Sequence, residues 1–421
     1  MLKILHFSDA HIDITRFGRH DPQSGLPIRV LDFLKSLDTI IDTALTEKVD
    51  LVIFSGDAYR DRTPVPTFQR EWGKRMMRLS QAKIPTLLVV GNHDLSPAAG
   101  RAHALQEYET LSVPYIRVIS QVEFLTPDML WDLPLQVIGL PWITPSKLMA
   151  NLKPEEENST ISSDTSEIIL ARLIQNFISK VDPDLPAILA GHVSVQGAIY
   201  GNERSVMLGK DVVLPLAVLR DAKLDYVALG HIHKAQDLNE DRQPPIVYPG
   251  SIERVDFGEV NDEKRFVIAQ VEKGSCRYEW RNLPGRKFFD QKIELRHQEN
   301  IQNELKAILP KPEEMKDAIG RLTIVYPREW EIYIDESALR QYGKNAFEFH
   351  IIRHTQIRIG DKLSGVESFL GKTNAEQLEF YWQNLGLSES ESKQLSPLAA
   401  DIMASVHRGI NPEIELEENN T

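Results

Sequence analysis

Leu87-Leu88-Val89-Val90-Gly91-Asn92-His93-Asp94 decides how this chain is read. An apolar run of β-forming residues is cut by a glycine, and three polar side chains follow in sequence. Such a strand delivers Asn92, His93 and Asp94 to its C-terminal edge, where open α/β sheets keep their chemistry. The same event recurs four times. Ile4–Ser8 runs into Asp9-Ala10-His11, and Leu51–Gly56 into Asp57. Ala187–Gly191 runs into His192, and Tyr226–Gly230 into His231-Ile232-His233.

A chain of 421 residues is too long for one ordinary core, so two or three domains are expected. The hydrophobic and charged fractions, 42% and 26%, are those of a globular protein. No apolar stretch approaches the length of a membrane helix. Met1-Leu2-Lys3 enters the first strand without a basic-then-apolar leader, so a cytoplasmic location is expected. The single cysteine, Cys276, excludes an internal disulfide framework and reads as a packed thiol in a strand. The net charge of −13 argues against broad phosphate binding, but metal loading of an Asp/His cluster reverses the local sign.

In order, strand Leu2–Ser8 is followed by a polar loop and then by helical spacing from Ile28 to Glu47. Strand Leu51–Ser55 makes the first unit strand–helix–strand, hence a partly parallel sheet. A helix is predicted from about Thr67 to Ala82, another from Arg101 to Leu111, and strands at Leu135–Leu140 and Ile188–Ala190. Asn158–Thr165 reads as a looped-out insertion. Strand-rich sequence to about 283 predicts two sheets packed face to face with helices outside. From 284 to 362 the pattern is a small α+β module with no polar strand tips. Residues 363–410 read as helical, with apolar Leu398, Ile402, Met403 and Val406, and 411–421 as a disordered acidic tail.

Asp, His and Asn are ligands for first-row divalent ions, and a carboxylate–imidazole mixture suits Mn, Fe or Zn better than Mg or Ca. One histidine at a strand tip usually means a satisfied structural residue. The conjunction is what carries weight. Asp9 and His11 lie two apart, as do His231 and His233, so on an extended chain each pair shares a face. Asp57, Asn92 and His192 each follow a separate strand. Seven ligands are about what two neighbouring ions need.

Taken together, Asp9-Ala10-His11, Gly56-Asp57, Gly91-Asn92-His93-Asp94, Gly191-His192 and Gly230-His231-Ile232-His233 resemble the calcineurin-like metallophosphoesterase motifs, complete and in order. Within that superfamily the chain looks like the SbcD-type nuclease subunits of DNA repair. That closer resemblance rests on Tyr226–His233, Tyr248-Pro249-Gly250-Ser251-Ile252-Glu253-Arg254 and Asp256-Phe257-Gly258-Glu259. The resemblance implies an α/β fold, a four-layer α/β/β/α sandwich over 1–283, then the α+β capping module and the helical segment. It implies two Mn²⁺ ions, with Mg²⁺ or other divalent ions as alternatives. One would be held by Asp9, His11, Asp57 and His233, the other by Asp57, Asn92, His192 and His231, with Asp57 bridging. His93 takes the place of the general acid or phosphate-stabilising catalytic group. Relatives often carry Asp or His three positions after the bridging Asp to orient that histidine. Here the position is Arg60, with Asp61 next, so Asp61 orients His93 through a shifted loop, or Arg60 contacts phosphate, or Arg60 simply points to solvent.

The core specifies phosphoester hydrolysis more sharply than substrate. Arg70, Lys74 and Arg78 fall at four-residue intervals on one helix, and with Arg60, Arg62 and Arg101 they are candidates for tracking a nucleic-acid backbone. A solvated helix face explains the same spacing. By resemblance the chain is a 3′→5′ exonuclease on duplex DNA ends and an endonuclease on single strands or hairpins. The resemblance also implies that an SbcC-type coiled-coil ATPase docks on 363–410, with the nuclease a homodimer inside a heterotetramer. A stand-alone small-molecule phosphodiesterase or phosphatase of the same superfamily is the alternative.

Overall fold

In the computed structural model, which describes residues 1–96, 101–145, 148, 166–201, 211–356, 373–384 and 388–407, seventeen strands are seen. The first four, β1 (Leu2–Phe7), β2 (Leu51–Phe54), β3 (Thr86–Val89) and β4 (Ile116–Ile119), lie side by side and parallel. Helices α1 (Ile28–Glu47) and α2 (Pro66–Gln81) make the first two crossovers, and the short α3 (Gln106–Thr110) precedes β4. Helix α1 forms because Val30, Phe33, Leu34, Leu37, Ile40, Ile41 and Ala44 repeat at helical spacing and bury one stripe. It stops at Lys48, whose backbone is left-handed.

Strands β5 (Glu123–Leu125), β6 (Gln136–Leu140) and β7 (Ala187–His192) begin a second sheet, with helix α4 (Ser166–Ser179) between β6 and β7. The pair β8 (Ser194–Val195) and β9 (Val213–Leu214), helix α5 (Leu216–Leu219), and β10 (Tyr226–Gly230), β11 (Gln236–Asp237) and β12 (Ile246–Tyr248) follow. The second sheet runs β11-β12-β10-β7-β6-β5, with β12, β10, β7 and β6 parallel. The chain then returns to the first sheet through β13 (Arg265–Glu272), antiparallel to β1, and β14 (Ser275–Asn282). The order there is β14-β13-β1-β2-β3-β4.

Side-chain alternation explains why these strands are apolar on both faces. In β2, Val52 and Phe54 pack toward Phe33, Leu37, Trp72 and Met76 of the helices. Leu51 and Ile53 face the other way, into a layer shared with Val137, Ile188, Ala190 and Ala228 of the second sheet. On that sheet's far side, Leu189, Val227 and Leu229 meet Leu170, Ile174 and Ile178 of α4. The result is helices, sheet, sheet, helices, as expected from the sequence. Each fully buried aliphatic side chain contributes about 1.5–3 kcal/mol relative to exposure. Ile53→Asp would instead bury an unpaired charge between the sheets.

Contacts divide the chain into two units: Met1–Ile293 with Gln302–Thr323 and Asp335–Ile352, and Glu294–Ile301 with Ile324–Ile334 and Arg353–Thr421. Strands β15 (Phe288–Glu294), β16 (Ile319–Pro327) and β17 (Glu348–Gln356) form a three-stranded sheet, accompanied in sequence by helices α6 (Ile301–Ile308) and α7 (Glu336–Tyr342). Two further helices are α8 (Asn374–Asn384) and α9 (Glu389–His407). The expected loop at 158–165, the boundary at 362/363 and the tail 411–421 lie outside the described residues. No helix among the described residues is long and apolar enough to cross a membrane.

Candidate metal centre

The parallel strands of both sheets end on the same side of the sandwich, and hydrogen bonds clasp their tips together. Amides of Asp9 and Ala10 donate to the carbonyls of Gly56 and Asp57, at 2.9 Å each. The His231 amide reaches across from the second sheet to the Asp9 carboxylate, 3.1 and 3.2 Å from its two oxygens. Asp94 is not aimed at the cluster. Its buried carboxylate accepts from the amides of Gly91, Asp57 and Ala58 at 2.8–2.9 Å and ties two tips together. Burial, reinforced by Asp57, pushes its pKa up to about 7. Two glycines are required by closeness alone. A Cβ on Gly91 would sit 2.2 Å from Asp57 Oδ1, and one on Gly230 2.0 Å from the Ser55 carbonyl oxygen.

Asp9 and His11 do share the cluster, but not by the extended geometry expected from their spacing. The strand ends at Phe7, and both residues adopt positive φ, +50° and +41°. Asp57 and His231 are likewise at +64° and +98°. Four non-glycine residues in the left-handed region at one locus mark backbone strain held by the surrounding bonds.

Five histidines show one pattern. In each, one ring nitrogen is committed to an oxygen and the other faces the cluster. The His11 Nδ1 lies 3.2 Å from the Tyr59 carbonyl, His192 Nδ1 2.7 Å from the Ser55 carbonyl, and His233 Nδ1 2.7 Å from Glu259 Oε1. For His231 it is Nε2, 3.2 Å from Asp211 Oδ2, that is committed. His93 Nδ1 sits 2.8 Å from the Arg60 carbonyl. An oxygen acceptor places N–H at that nitrogen, so in the neutral ring the opposite nitrogen is the one that can ligate a cation.

Those opposite nitrogens converge. His11 Nε2 and His233 Nε2 are 3.1 Å apart. His192 Nε2 and His231 Nδ1 lie 3.0 and 3.1 Å from Asn92 Oδ1. Asp57 Oδ2 stands between the groups, 3.9 Å from His11 Nε2 and 3.4 Å from His192 Nε2. Donor atoms of Asp9, His11 and His233, and of Asp9, Asp57 and His192, fall within 4.8 Å of one another, close enough to share an ion. Two imidazole nitrogens at 3.1 Å match adjacent donors on one cation, since bonds of about 2.1 Å at right angles separate ligands by about 3 Å. The donor set therefore fits divalent transition-metal ions. Asp9 falls in both proximity groups, but its oxygens already accept Ser8 Oγ and the His231 amide, whereas Asp57 Oδ2 faces imidazoles of both groups.

Burial disfavours every charge here, yet the groups offset one another. It works against ionisation of Asp57, but the imidazoles of His192, His93 and His11 outweigh it and hold the carboxyl well below its usual range. For His192 burial is outweighed by Asp57 and Asp9, and its pKa rises to about 9. Burial lowers the pKa of His11 and, less completely, of His93.

A trough of about 510 Å³ opens over the cluster, walled by Asp13, Arg60, Arg62, Trp142, Asp211 and Asp256. The indole of Trp142 lies 4.7 Å from the His231 ring. Of the expected substrate contacts, Arg60 and Arg62 line this trough. Arg70 and Lys74 do not. They are ion-paired with Glu71, while Arg78 pairs with Asp38 and Asp42. Arg101 is exposed away from the lining. Asp61 caps its own turn through Thr63 and does not orient His93, whose Nδ1–H donates to the Arg60 carbonyl instead. Buried Cys276, its thiol pushed up to about 12 by burial, is a packed side chain.

Sequence reasoning did not assign roles to Glu259, Asp211 or Asp13. Glu259 lies in a quoted motif, and it is gripped by buried Lys264 and Ser251 while it holds His233. The other two carry no local signal.

A family model for calcineurin-like phosphoesterases matches residues 2–235, more than half of the chain. Among solved structures the chain is similar to a dimetal phosphatase from Danio rerio, at 12% identity over 66% of this chain and 98% of that one, with a TM-score of 0.36. It is also similar to the protein TT1561 of Thermus thermophilus, at 15% identity over 66% and 98%, TM-score 0.36. A third is GAP50, the anchor in the inner membrane complex of Plasmodium, at 13% over 68% and 90%, TM-score 0.34. This chain belongs to the calcineurin-like phosphoesterase family, whose chemistry is phosphoester hydrolysis.

Proposed function

We propose that this phosphoesterase is a Mn²⁺-dependent DNA nuclease, a 3′→5′ exonuclease at duplex ends and an endonuclease on single strands and hairpins. The observation that carries the hydrolytic part is the meeting, at the floor of one open trough, of carboxylate and imidazole donor atoms from both sheets. Asp9, His11, Asp57 and His233 would hold one cation, and Asp57, Asn92, His192 and His231 the other. Bound divalent cations polarise a phosphoryl oxygen and lower the pKa of water.

The chain's own residues do the rest. Arg60 and Arg62, which have no carboxylate partner among the described residues, meet the phosphate charge at the trough wall. Trp142 closes the side above His231 and His192. His93 is held through Nδ1–H, so Nε2 faces the leaving oxygen; the imidazolium delivers its Nε2 proton there and is left as the Nδ1–H tautomer. A nucleic-acid substrate is supported by those two arginines and by the resemblance to SbcD-type subunits. In the same reading an SbcC-type ATPase docks on α8 and α9, where Leu398 and Ile402 are exposed, and two nuclease chains work in one heterotetramer.

The test is a manganese-loaded assay on linear duplex DNA beside bis(4-nitrophenyl) phosphate, with His93→Ala as control. Cleavage of DNA that falls about 100-fold or more in the variant supports the nuclease. Turnover of the small diester with none of DNA would replace it with a stand-alone phosphodiesterase.

A further inference from the structure

Three residues after Asp57 stands Arg60, whose backbone carbonyl accepts from His93 Nδ1 at 2.8 Å. A carbonyl on an exposed loop is a poor anchor unless its peptide plane is fixed. Asp13 fixes it. Its Oδ1 accepts from the Arg60 amide at 2.5 Å and its Oδ2 from the Asp61 amide at 2.9 Å. The Asp61 N–H and the Arg60 C=O are the two ends of one planar peptide group. One carboxylate oxygen therefore grips the near end while His93 holds the far end.

We infer that Asp13 is the positioning carboxylate of His93, acting through the Arg60–Asp61 peptide rather than by direct contact. Two consequences follow from the geometry. The clamp prevents that peptide from flipping, which would turn an N–H toward His93 and eject the ring. It also polarises the peptide, so the Arg60 oxygen becomes a stronger acceptor and the Nδ1–H tautomer is favoured. Asp13 thus does, one peptide away, what a carboxylate does directly in other histidine sites. Asp13 and Arg60 are 47 positions apart in sequence, and Asp13 lies two residues beyond His11.

This inference rests on the reading of His93 as proton donor to the leaving oxygen, and leaving-group dependence separates the two. Asp13→Ala is expected to lower kcat on a dinucleotide, whose alkoxide leaves poorly, by about 30-fold or more, with KM within about twofold. On bis(4-nitrophenyl) phosphate, whose leaving group needs little protonation, the loss is about threefold. In a His93→Ala background the same change adds less than about twofold, because the clamp then has nothing to hold. Manganese affinity stays within about twofold of wild type. Equal losses on both substrates, an undiminished effect in the His93→Ala background, or a parallel loss of manganese binding would each overturn the inference. Asp13→Asn keeps one acceptor and serves if the alanine variant does not fold; an intermediate, leaving-group-dependent loss is expected, and wild-type behaviour contradicts the clamp. If wild type hydrolyses neither diester, the nuclease reading fails on its own. The ¹⁵N resonances of His93 in the metal-free chain then decide: Nδ1–H in wild type and loss of that tautomer in Asp13→Asn support the clamp, and an unchanged tautomer refutes it.

Discussion

Two regions of this molecule carry charged residues at suggestive spacing, and they come out differently. At the strand tips, Asp9, His11, Asp57, Asn92, His192, His231 and His233 are buried or nearly so, and each histidine has one nitrogen tied to an oxygen and one left for the cluster. Along α2, Arg70, Lys74 and Arg78 keep their helical spacing but are answered by Glu71, Asp38 and Asp42. Spacing placed both sets on common faces. Only where backbone bonds and a buried partner commit half of each side chain does the other half remain for function. His6 makes the same point within one strand. It is as buried as His11, but Tyr226 and Ser55 occupy both its nitrogens, so it is a structural residue, its pKa pulled by burial to about 3.

The contrast is broken most severely at Asp57. Asp57→Asn takes the charge from the carboxylate whose Oδ2 lies against imidazoles of both groups, and manganese-dependent turnover should fall to background; retained activity would mean the two groups work independently. Next is Glu259→Gln, which loosens His233 without touching the cluster. Manganese affinity, measured by calorimetry, should weaken about 10- to 100-fold. If Glu259 only stabilises the fold, melting temperature drops and affinity does not.

A third test uses protons. The His192 pKa is raised to about 9, so its ring is protonated at pH 7 and must lose that proton to accept a cation. Affinity should therefore rise with pH from 7 toward 9, by up to about tenfold per unit, and level off above. Proton release at pH 7, seen as a dependence of binding enthalpy on buffer, should vanish in His192→Ala. The smallest effect belongs to the helix. Arg70→Ala with Lys74→Ala removes exposed ion pairs worth roughly 0–1 kcal/mol and should change KM for DNA less than about twofold. Arg60→Ala, which removes a cation from the trough wall, should raise KM about tenfold. A large effect from the helix pair would return α2 to the substrate surface.

Much of this was legible in the sequence because strand tips are local events: an apolar run, a glycine, then a polar residue. The parallel sheets, the helix Ile28–Glu47 and the five tip motifs follow from such patterns. What was not legible depends on pairs distant in sequence or on backbone conformation. Nothing near Asp13 announces the Arg60 loop, and nothing near Asp211 announces His231. The left-handed backbone at Asp9 and His11 is imposed by bonds to the neighbouring tip, so the two side chains meet by a turn and not by the extended chain expected from their spacing. Helix α4 was missed although Ile169, Leu170, Ile174 and Ile178 line one buried face, because the polar stretch before it hides where it begins. The helix expected over Arg101–Leu111 shrinks to Gln106–Thr110, with the chain before it held by the Ala104 amide on the Asp94 carbonyl.

Everything turns on whether paired cations sit where the seven donors converge. A crystal grown with manganese, measured at the manganese absorption edge, answers this directly. The account predicts two anomalous peaks, one on the His11 and His233 side of Asp57 and one on the Asn92 and His192 side. A single peak elsewhere on the surface, or none at the trough floor under saturating manganese, would contradict it.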